Sequence, residues 1–451
     1  MKHALQEIIE RHKKGMPVGV YSVCSANPFV LRAAARQAKE SDSYLLVEAT
    51  SNQVDQYGGY TGMKPADFAL MVRRIATECA LPEERLILGG DHLGPNRWRH
   101  LNPEEAMARA REQIKCYVEA GFSKIHLDAS MPLKGDSSKS GSPLSAELVA
   151  QRSADLCVVA EEAARNFSKR ELKPVYVIGT DVPVPGGAVG SLETVRITPV
   201  EEVKEVLQQT QEAFFSKGLQ DAWERTIAVV VQPGVEFGND HIADYQREYA
   251  RELKQFIEAE PQFVYEAHST DYQNREALRA MVEDHFVILK VGPALTFALR
   301  EAVFALSFME DILAEGNRAL KPSNMRKVLD RAMLRNPEYW QKHYGGTKAE
   351  KALARRFSFS DRIRYYWPEP EVQQALQKLL SNLRVFPPPL SLVSQFMPAE
   401  YEALRGREIE LDPETLIDHK IRSVLKDYVF ATSSNTAEGN SVVQPLLKEP
   451  A

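Results

Sequence analysis

Apolar and polar positions follow a repeating phrase along the first 310 residues of this chain. A short run rich in Val, Ile and Leu gives way to a polar or glycine-rich loop. A stretch with apolar residues at helical spacing then follows. Eight such runs predict strands at residues 18–22, 44–48, 86–90, 124–128, 175–179, 227–232, 263–266 and 287–291. Most are apolar throughout, as strands buried on both faces are. The intervening segments predict helices, among them 64–79, 102–120 and 198–217. Asn102 is a candidate N-cap, with Pro103 at the first helical position and Gly121 just past the end. Thr198, Pro199 and Gly218 repeat the device.

Eight consecutive β-α units point to an α/β protein, a (β/α)8 TIM barrel over residues 1–310. A doubly wound open sheet would be favoured by a G-x-G-x-x-G after the first strand, and the sequence has none there. After residue 311 the β-type runs stop. Helical spacing at 324–334, 349–356, 371–383 and 413–429, broken by loops such as Phe386-Pro387-Pro388-Pro389, predicts a C-terminal α-helical extension over 311–431. Residues 432–451 are polar with little periodicity, which predicts a disordered tail.

Charge narrows the partners. The 451 residues carry 56 Lys and Arg against 62 Asp and Glu, a net charge of −6. Nucleic acid and anionic membrane both want a concentrated basic face, so neither is expected as the main partner. No apolar run approaches the ~20 residues of a membrane span. The first seven residues lack the apolar centre of a signal peptide. The four cysteines (Cys24, Cys79, Cys116, Cys157) form no C-x-x-C, so reduced thiols and a cytoplasmic location are expected.

The chemistry should collect at the C-terminal ends of the strands, where barrels of this type place their sites. Glu48, Asp91, His92, Asp128, Asp181, Glu266, His268 and Lys290 each close or lie on a predicted strand, so they are expected to converge on one cavity. His92 and His268 are candidate ligands for a divalent ion such as Zn2+, with Asp181 or Glu266 completing the set. The bland reading of His92 is a loop-anchoring histidine. Asp91, next to His92 on a strand, should point to a different side and could act as acid/base beside the metal. His126 shares a side of its strand with Asp128 and reads as a satisfied interior residue. Asp128 and Glu48 join Asp91 as candidate acid/base groups.

Lys290, between apolar neighbours, reads either as a Schiff-base nucleophile or as the ion-pair partner of Glu48 or Glu266, and the ion pair is preferred. Gly292-Pro293-Ala294 opens a helix at 295–309, whose first N–H groups offer a phosphate cradle, with Asn52, Ser130, Ser269 and Thr270 as helpers. The Arg- and aromatic-rich segment 360–367 suits either a cover packed on the barrel mouth or an interface.

Several long motifs carry a family resemblance. They are Val47-Glu48-Ala49-Thr50-Ser51-Asn52-Gln53-Val54, Gly58-Gly59-Tyr60-Thr61-Gly62-Met63, Leu88-Gly89-Gly90-Asp91-His92-Leu93-Gly94-Pro95-Asn96, Phe122-Ser123-Lys124-Ile125-His126-Leu127-Asp128-Ala129-Ser130, Tyr265-Glu266-Ala267-His268-Ser269-Thr270-Asp271-Tyr272, Leu289-Lys290-Val291-Gly292-Pro293-Ala294-Leu295-Thr296 and the segment 360–368. With them the chain resembles, from about residue 10 to about residue 430, the GatZ/KbaZ family, the Z subunits of bacterial D-tagatose-1,6-bisphosphate aldolase.

The resemblance implies a role in galactitol and N-acetylgalactosamine breakdown, through D-tagatose 6-phosphate. It implies a partner, a separate class II, zinc-dependent Y subunit (GatY/KbaY-like) that carries the aldol chemistry. The Z subunit would then be inactive alone and would support the activity and stability of Y, in the manner of a dedicated chaperone. The family has also been called tagatose-6-phosphate kinase, but the sequence has no G-x-x-x-x-G-K-[ST] loop.

Z further resembles the class II aldolases themselves, which place an Asp-His pair after strand 3 and histidines after strands 5 and 7. Asp91-His92 and His268 match the first and last positions, whereas Thr180-Asp181-Val182 supplies no histidine at the middle one. An autonomous metal-dependent aldolase or epimerase acting on a ketose phosphate is the alternative.

Overall fold

The structure, a computed structural model, describes residues 2–136, 144–166, 173–179 and 195–434. Eight strands form the framework: β1 (Val20–Val23), β2 (Leu45–Thr50), β3 (Leu86–Leu93), β4 (Lys124–Leu127), β5 (Val175–Gly179), β6 (Thr226–Val231), β7 (Val264–Ala267) and β8 (Phe286–Val291). Every neighbouring pair is parallel. The order β1-β8-β7-β6-β5-β4-β3-β2 closes on itself. The expected (β/α)8 barrel is therefore present. Closure removes the free edges that an open sheet would have to protect. A two-stranded ribbon, Glu236–Phe237 with Ile242–Ala243, is inserted after β6.

The helix signals work mostly as written. Asn102 Oδ1 accepts the N–H of Glu105 at 3.0 Å and starts the helix Pro103–Glu119. Thr198 behaves differently. Its hydroxyl accepts the N–H of Gln232 at 2.8 Å, tying the end of β6, and the helix Val200–Ser216 begins without a side-chain cap. The barrel's last helix, Pro293–Ala314, passes the expected boundary at residue 310. The extension follows as Met325–Arg335, Lys348–Phe357, Pro370–Val385, two short helices (Leu390–Phe396 and Pro398–Arg405) and the closing helix Pro413–Thr432. Thr432, expected in the tail, is the helical end of that last element, and residues 435–451 lie outside the described residues. Among the described residues no helix is long and apolar enough to cross a membrane.

The extension shares the barrel's core. Leu416, Ile417, Ile421, Leu425 and Tyr428 of the closing helix are buried in one apolar cluster with Val30, Ala34, Leu278 and Leu299 from the barrel's helices. The barrel interior itself is layered. Its N-terminal end is apolar, with Val20, Leu46, Ile87, Val177, Val230, Val264 and Ile288 sealed by Leu5, Ile8 and Ile9 of the N-terminal helix Ala4–Lys13. The buried charged side chains Glu48, Asp91, Lys124, Asp128, Glu266 and Lys290 lie toward the other end, where the site is.

Two histidines pin that N-terminal helix. His3 Nδ1 accepts the Leu5 N–H at 3.1 Å, and its Nε2 lies 3.0 Å from Ser123 Oγ. His12 lies 2.8 Å from the Val18 carbonyl and 2.7 Å from His285 Nδ1, with Lys13 and Glu258 nearby. Burial pushes both His3 and His12 down to about 4, and lowers His285 as well. A base depressed in the folded state stabilises above its unfolded pKa, near 6.5, and loses that contribution as pH falls through the folded value. Stability should therefore drop by a few kcal/mol (~) between pH 6.5 and 4. Amides of residues 4–13 should be the first to lose protection in hydrogen exchange. A helix equally protected at pH 7 and pH 4.5 would contradict this.

Candidate active site

The site begins with an irregularity in β3. Gly89 and Gly90 pair with Lys124 and Ile125, and the next pairing is Leu93 with Leu127. One extra residue on β3 makes a bulge, and His92 sits there at φ +51°, in the left-handed region. A bulge re-aims side chains that would otherwise alternate. Asp91 and His92, expected on different sides, thus both reach the barrel mouth, with His92 Nε2 3.6 Å from Asp91 Oδ2. Gly94 completes the turn against β4. A Cβ there would stand 1.7 Å from the Asp128 carbonyl oxygen. Gly94→Ala should therefore push β3 from β4, costing ~1–3 kcal/mol or more and displacing His92 from Asp128. Urea unfolding checks the first effect and the His92 imidazole NMR signal the second.

Beneath the mouth lies a fully buried ionic cluster. Lys124 Nζ stands 2.8 Å from both oxygens of Glu48 and 2.6 Å from Glu266 Oε2. Lys290 Nζ stands 2.7 Å from Glu48 Oε2, 2.9 Å from Asp91 Oδ1 and 3.6 Å from Glu266 Oε1. Ser22 Oγ donates to Glu48 at 2.7 Å. Gly89 makes room for this layer, since a Cβ there would meet Glu48 Cγ at 2.7 Å. Burial alone would lower the Lys290 ammonium, but Asp91, Glu266 and Glu48 outweigh it and hold it well above the usual lysine range. That favours the ion pair over a Schiff-base nucleophile, which needs a neutral amine.

Three imidazoles stand over the cluster, with ring centroids of His92, His126 and His268 5.0–5.4 Å apart. His92 Nδ1 is 2.9 Å from Asp128 Oδ2, and Ser130 steadies that carboxylate through Oγ at 2.6 Å and N–H at 3.1 Å. Burial would lower His92, yet Asp91 and Asp128 raise it. Asp128 overcomes its own burial through His92 and His126 and lies well below the usual carboxylate range. Ser130, expected to help bind phosphate, instead orients Asp128. His268 Nε2 is 3.0 Å from Glu266 Oε1, and burial pushes His268 down to about 4.

Asp91, His126, Glu266 and His268 each offer one ligand atom, all within 4.8 Å of one another. Two nitrogens and two carboxylate oxygens suit a divalent ion such as Zn2+. His126 Nδ1 is 2.9 Å from Asp91 Oδ1, while its buried Nε2 has no hydrogen-bond partner. The charges also fit. Four buried carboxylates (Glu48, Asp91, Asp128, Glu266) face two buried lysines, leaving two negative charges for an ion or protonated imidazoles to balance. The expected set differs in two places: His126 takes the position assigned to His92, and Asp91, expected as the acid/base beside the metal, joins Glu266 and His268 as a donor. Asp181 lies outside the described residues.

The mouth itself is a cavity of about 90 Å3, lined by Asn52, Asp91, His92, His268, Ser269 and Lys290 and covered by Arg364 and Tyr365 of the extension. Glu48, Asp128 and Glu266 lie deeper, fully buried. The phosphate cradle expected at Gly292 is filled by the chain itself, since Asp271 Oδ1 accepts the N–H groups of Gly292 and Ala294 at 3.0 and 2.8 Å. Thr270 is likewise engaged, donating to the Lys290 carbonyl at 2.7 Å and lying 3.1 Å from the Tyr428 hydroxyl. Segment 360–367 is a cover, with Tyr365 stacked on Tyr339 at 4.7 Å and Ile363, Tyr366 and Trp367 buried.

Sequence reasoning passed over Lys124, although it alternates with His126 and Asp128 on one side of β4, and that period of two was its signal. Tyr60 and Asp271 were not among the candidates and Arg364 entered only as part of segment 360–367, yet all three line the mouth.

Known proteins resemble this chain along nearly its whole length. A family model described as "D-tagatose-1,6-bisphosphate aldolase subunit GatZ/KbaZ-like" matches residues 5–433. A curated relative from Klebsiella pneumoniae subsp. pneumoniae, named D-tagatose-1,6-bisphosphate aldolase subunit GatZ, is 50% identical over 434 residues, 96% of this chain and 100% of the relative. One of the same name from Salmonella dublin is 50% identical over 433 residues, again 96% and 100%. The crystal structure of "a probable tagatose 6 phosphate kinase" from Sinorhizobium meliloti 1021 superposes with a TM-score of 0.82 at 41% identity, covering 92% of this chain and 100% of that one. The chain therefore belongs to the GatZ/KbaZ-like family of D-tagatose-1,6-bisphosphate aldolase subunits.

Proposed function

We propose that this chain is the supporting subunit of a two-component D-tagatose-1,6-bisphosphate aldolase, paired with a separate class II catalytic Y subunit whose activity and stability it sustains. The observation that carries this reading is the end-to-end likeness to proteins named as subunits of that enzyme. The mouth agrees with a binding role, since the groups positioned to do chemistry are tied to one another. Lys290 is held by Glu48 and Asp91, and Asp128 by His92 and Ser130.

The donor set of Asp91, His126, Glu266 and His268 supports a second reading, an autonomous metal-dependent lyase or epimerase. A divalent ion held there would act as a Lewis acid on a substrate carbonyl. Purified chain decides between the two. On the subunit reading, its retro-aldol rate on D-tagatose 1,6-bisphosphate is negligible alone, and adding it to a Y subunit raises that subunit's rate and lengthens its half-life. Turnover of ~1–10³ per second by the chain alone would overturn the subunit reading.

A further inference from the structure

Beside the mouth lies a second cavity of about 420 Å3, in the size range of small-molecule sites. The two share Cys24, Gln53, Tyr60, Gly292 and Arg364 as a common wall, so a ligand passing Arg364 would touch both. Their electrostatics differ. The mouth is lined by Asp91, Asp271 and two histidines as well as Lys290. Among the described residues the second cavity is lined by Arg32 and Arg364 and by no acidic residue, in a chain that carries a net charge of −6.

Among the described residues Arg364 has no carboxylate within ion-pair distance. Its guanidinium donates to the Ser360 and Asp361 carbonyls and to the Tyr365 hydroxyl, and it lies over the Tyr365 ring at 4.6 Å. Arg32 is loosely paired with Glu78 at 3.7 Å. The helix Pro28–Glu40 also begins at this wall, with Asn27 and Phe29 lining the cavity, so its positive end faces the same space. Two guanidinium groups, a helix start and no acid describe a receptor for an anion, and guanidinium geometry suits a phosphate.

We infer that the mouth and the second cavity form one bipartite site for a phosphorylated open-chain sugar, its phosphate held by Arg364 and Arg32 and its carbonyl end at Asp91, His92 and His268. This deepens the reading above and rests on it. The phosphate would sit between the helix Pro28–Glu40, which carries Arg32, and the extension, which carries Arg364. The extension thereby supplies a binding residue as well as a cover.

Isothermal titration of the full chain with D-tagatose 1,6-bisphosphate, D-tagatose and sodium sulfate tests the assignment. The bisphosphate should bind, the unphosphorylated sugar should not, and sulfate should compete weakly. Arg364→Gln and Arg32→Glu should each weaken bisphosphate binding at least tenfold while leaving metal content unchanged. Arg364 also ties its own loop, so Arg32→Glu, on the outer wall, is the variant that keeps the fold. Wild-type affinity in a folded Arg32→Glu protein, or sulfate binding as tightly as the bisphosphate, overturns the inference. Loss of Y-subunit support with bisphosphate binding retained would strike the proposed function alone, so the two failures are distinguishable.

Discussion

Lys124→Met is expected to destabilise the protein by ~3–5 kcal/mol, the range found when one partner of a buried ion pair is removed. Methionine fills much of the same volume, so the loss would come from charge rather than from a cavity. Lys124 is completely buried between Glu48 and Glu266. Without it, Lys290 is the one ammonium left within ion-pair distance of either carboxylate among the described residues. The measurement is urea unfolding with a chelator present in every sample, so that metal binding does not add to the difference. Glu48→Gln in the same chain should recover part of the loss, because it removes one uncompensated charge. A change below 1 kcal/mol (~) in the single variant would mean that the cluster is far better solvated than its burial implies.

The second large effect concerns the ion. Wild-type chain refolded with Zn2+ and desalted should retain about one equivalent, and His126→Ala and His268→Ala should retain almost none. His92→Ala should weaken retention only 10–100-fold (~), the usual cost of losing a group that orients the ligands. The ordering separates the structural assignment from the sequence assignment, which gave His92 the ligand role and left His126 as interior packing. Metal retained in full by His126→Ala would restore the original set. On the subunit reading, His92→Ala should leave support of the Y subunit largely intact, since that support would come from surface contacts.

The barrel was legible because its evidence is periodic. Eight apolar runs separated by helical spacing leave few other architectures, and the closed order of β1–β8 follows from them. The site was legible in its residue types and less so in its geometry. Gly89-Gly90 reads as the end of a strand, yet β3 continues through Leu93, with Gly89 leaving room for Glu48 and Gly90 for Leu93 and Tyr117. The bulge at His92 then breaks the alternation that any strand pattern assumes. Gly292 looked like an open helix start because its occupant, Asp271, arrives from the end of a different strand. Segment 360–367 left two readings open. Tyr365 meets Tyr60 edge-on and stacks on Tyr339, and the first contact joins residues more than 300 positions apart, which no local pattern encodes.

The closing helix Pro413–Thr432 bears on how the chain is made. It spans the seam where β1 meets β8. Arg422 bonds Gln37 and Glu40, Asp418 pairs with Arg36, Tyr428 donates to the Thr270 carbonyl, and Thr432 accepts the Gly19 N–H. A ribosome releasing this chain has made all eight strands long before that helix emerges. Until then the faces of Pro28–Glu40 and Pro293–Ala314 remain greasy and open, a period in which chaperones or aggregation compete with closure. The helix thus acts as a latch on synthesis, and pairings this distant in sequence should make the final step slow. A chain stopped at residue 310 should consequently be insoluble or molten, while adding back a separate peptide of residues 411–434 should partly restore its near-ultraviolet circular dichroism.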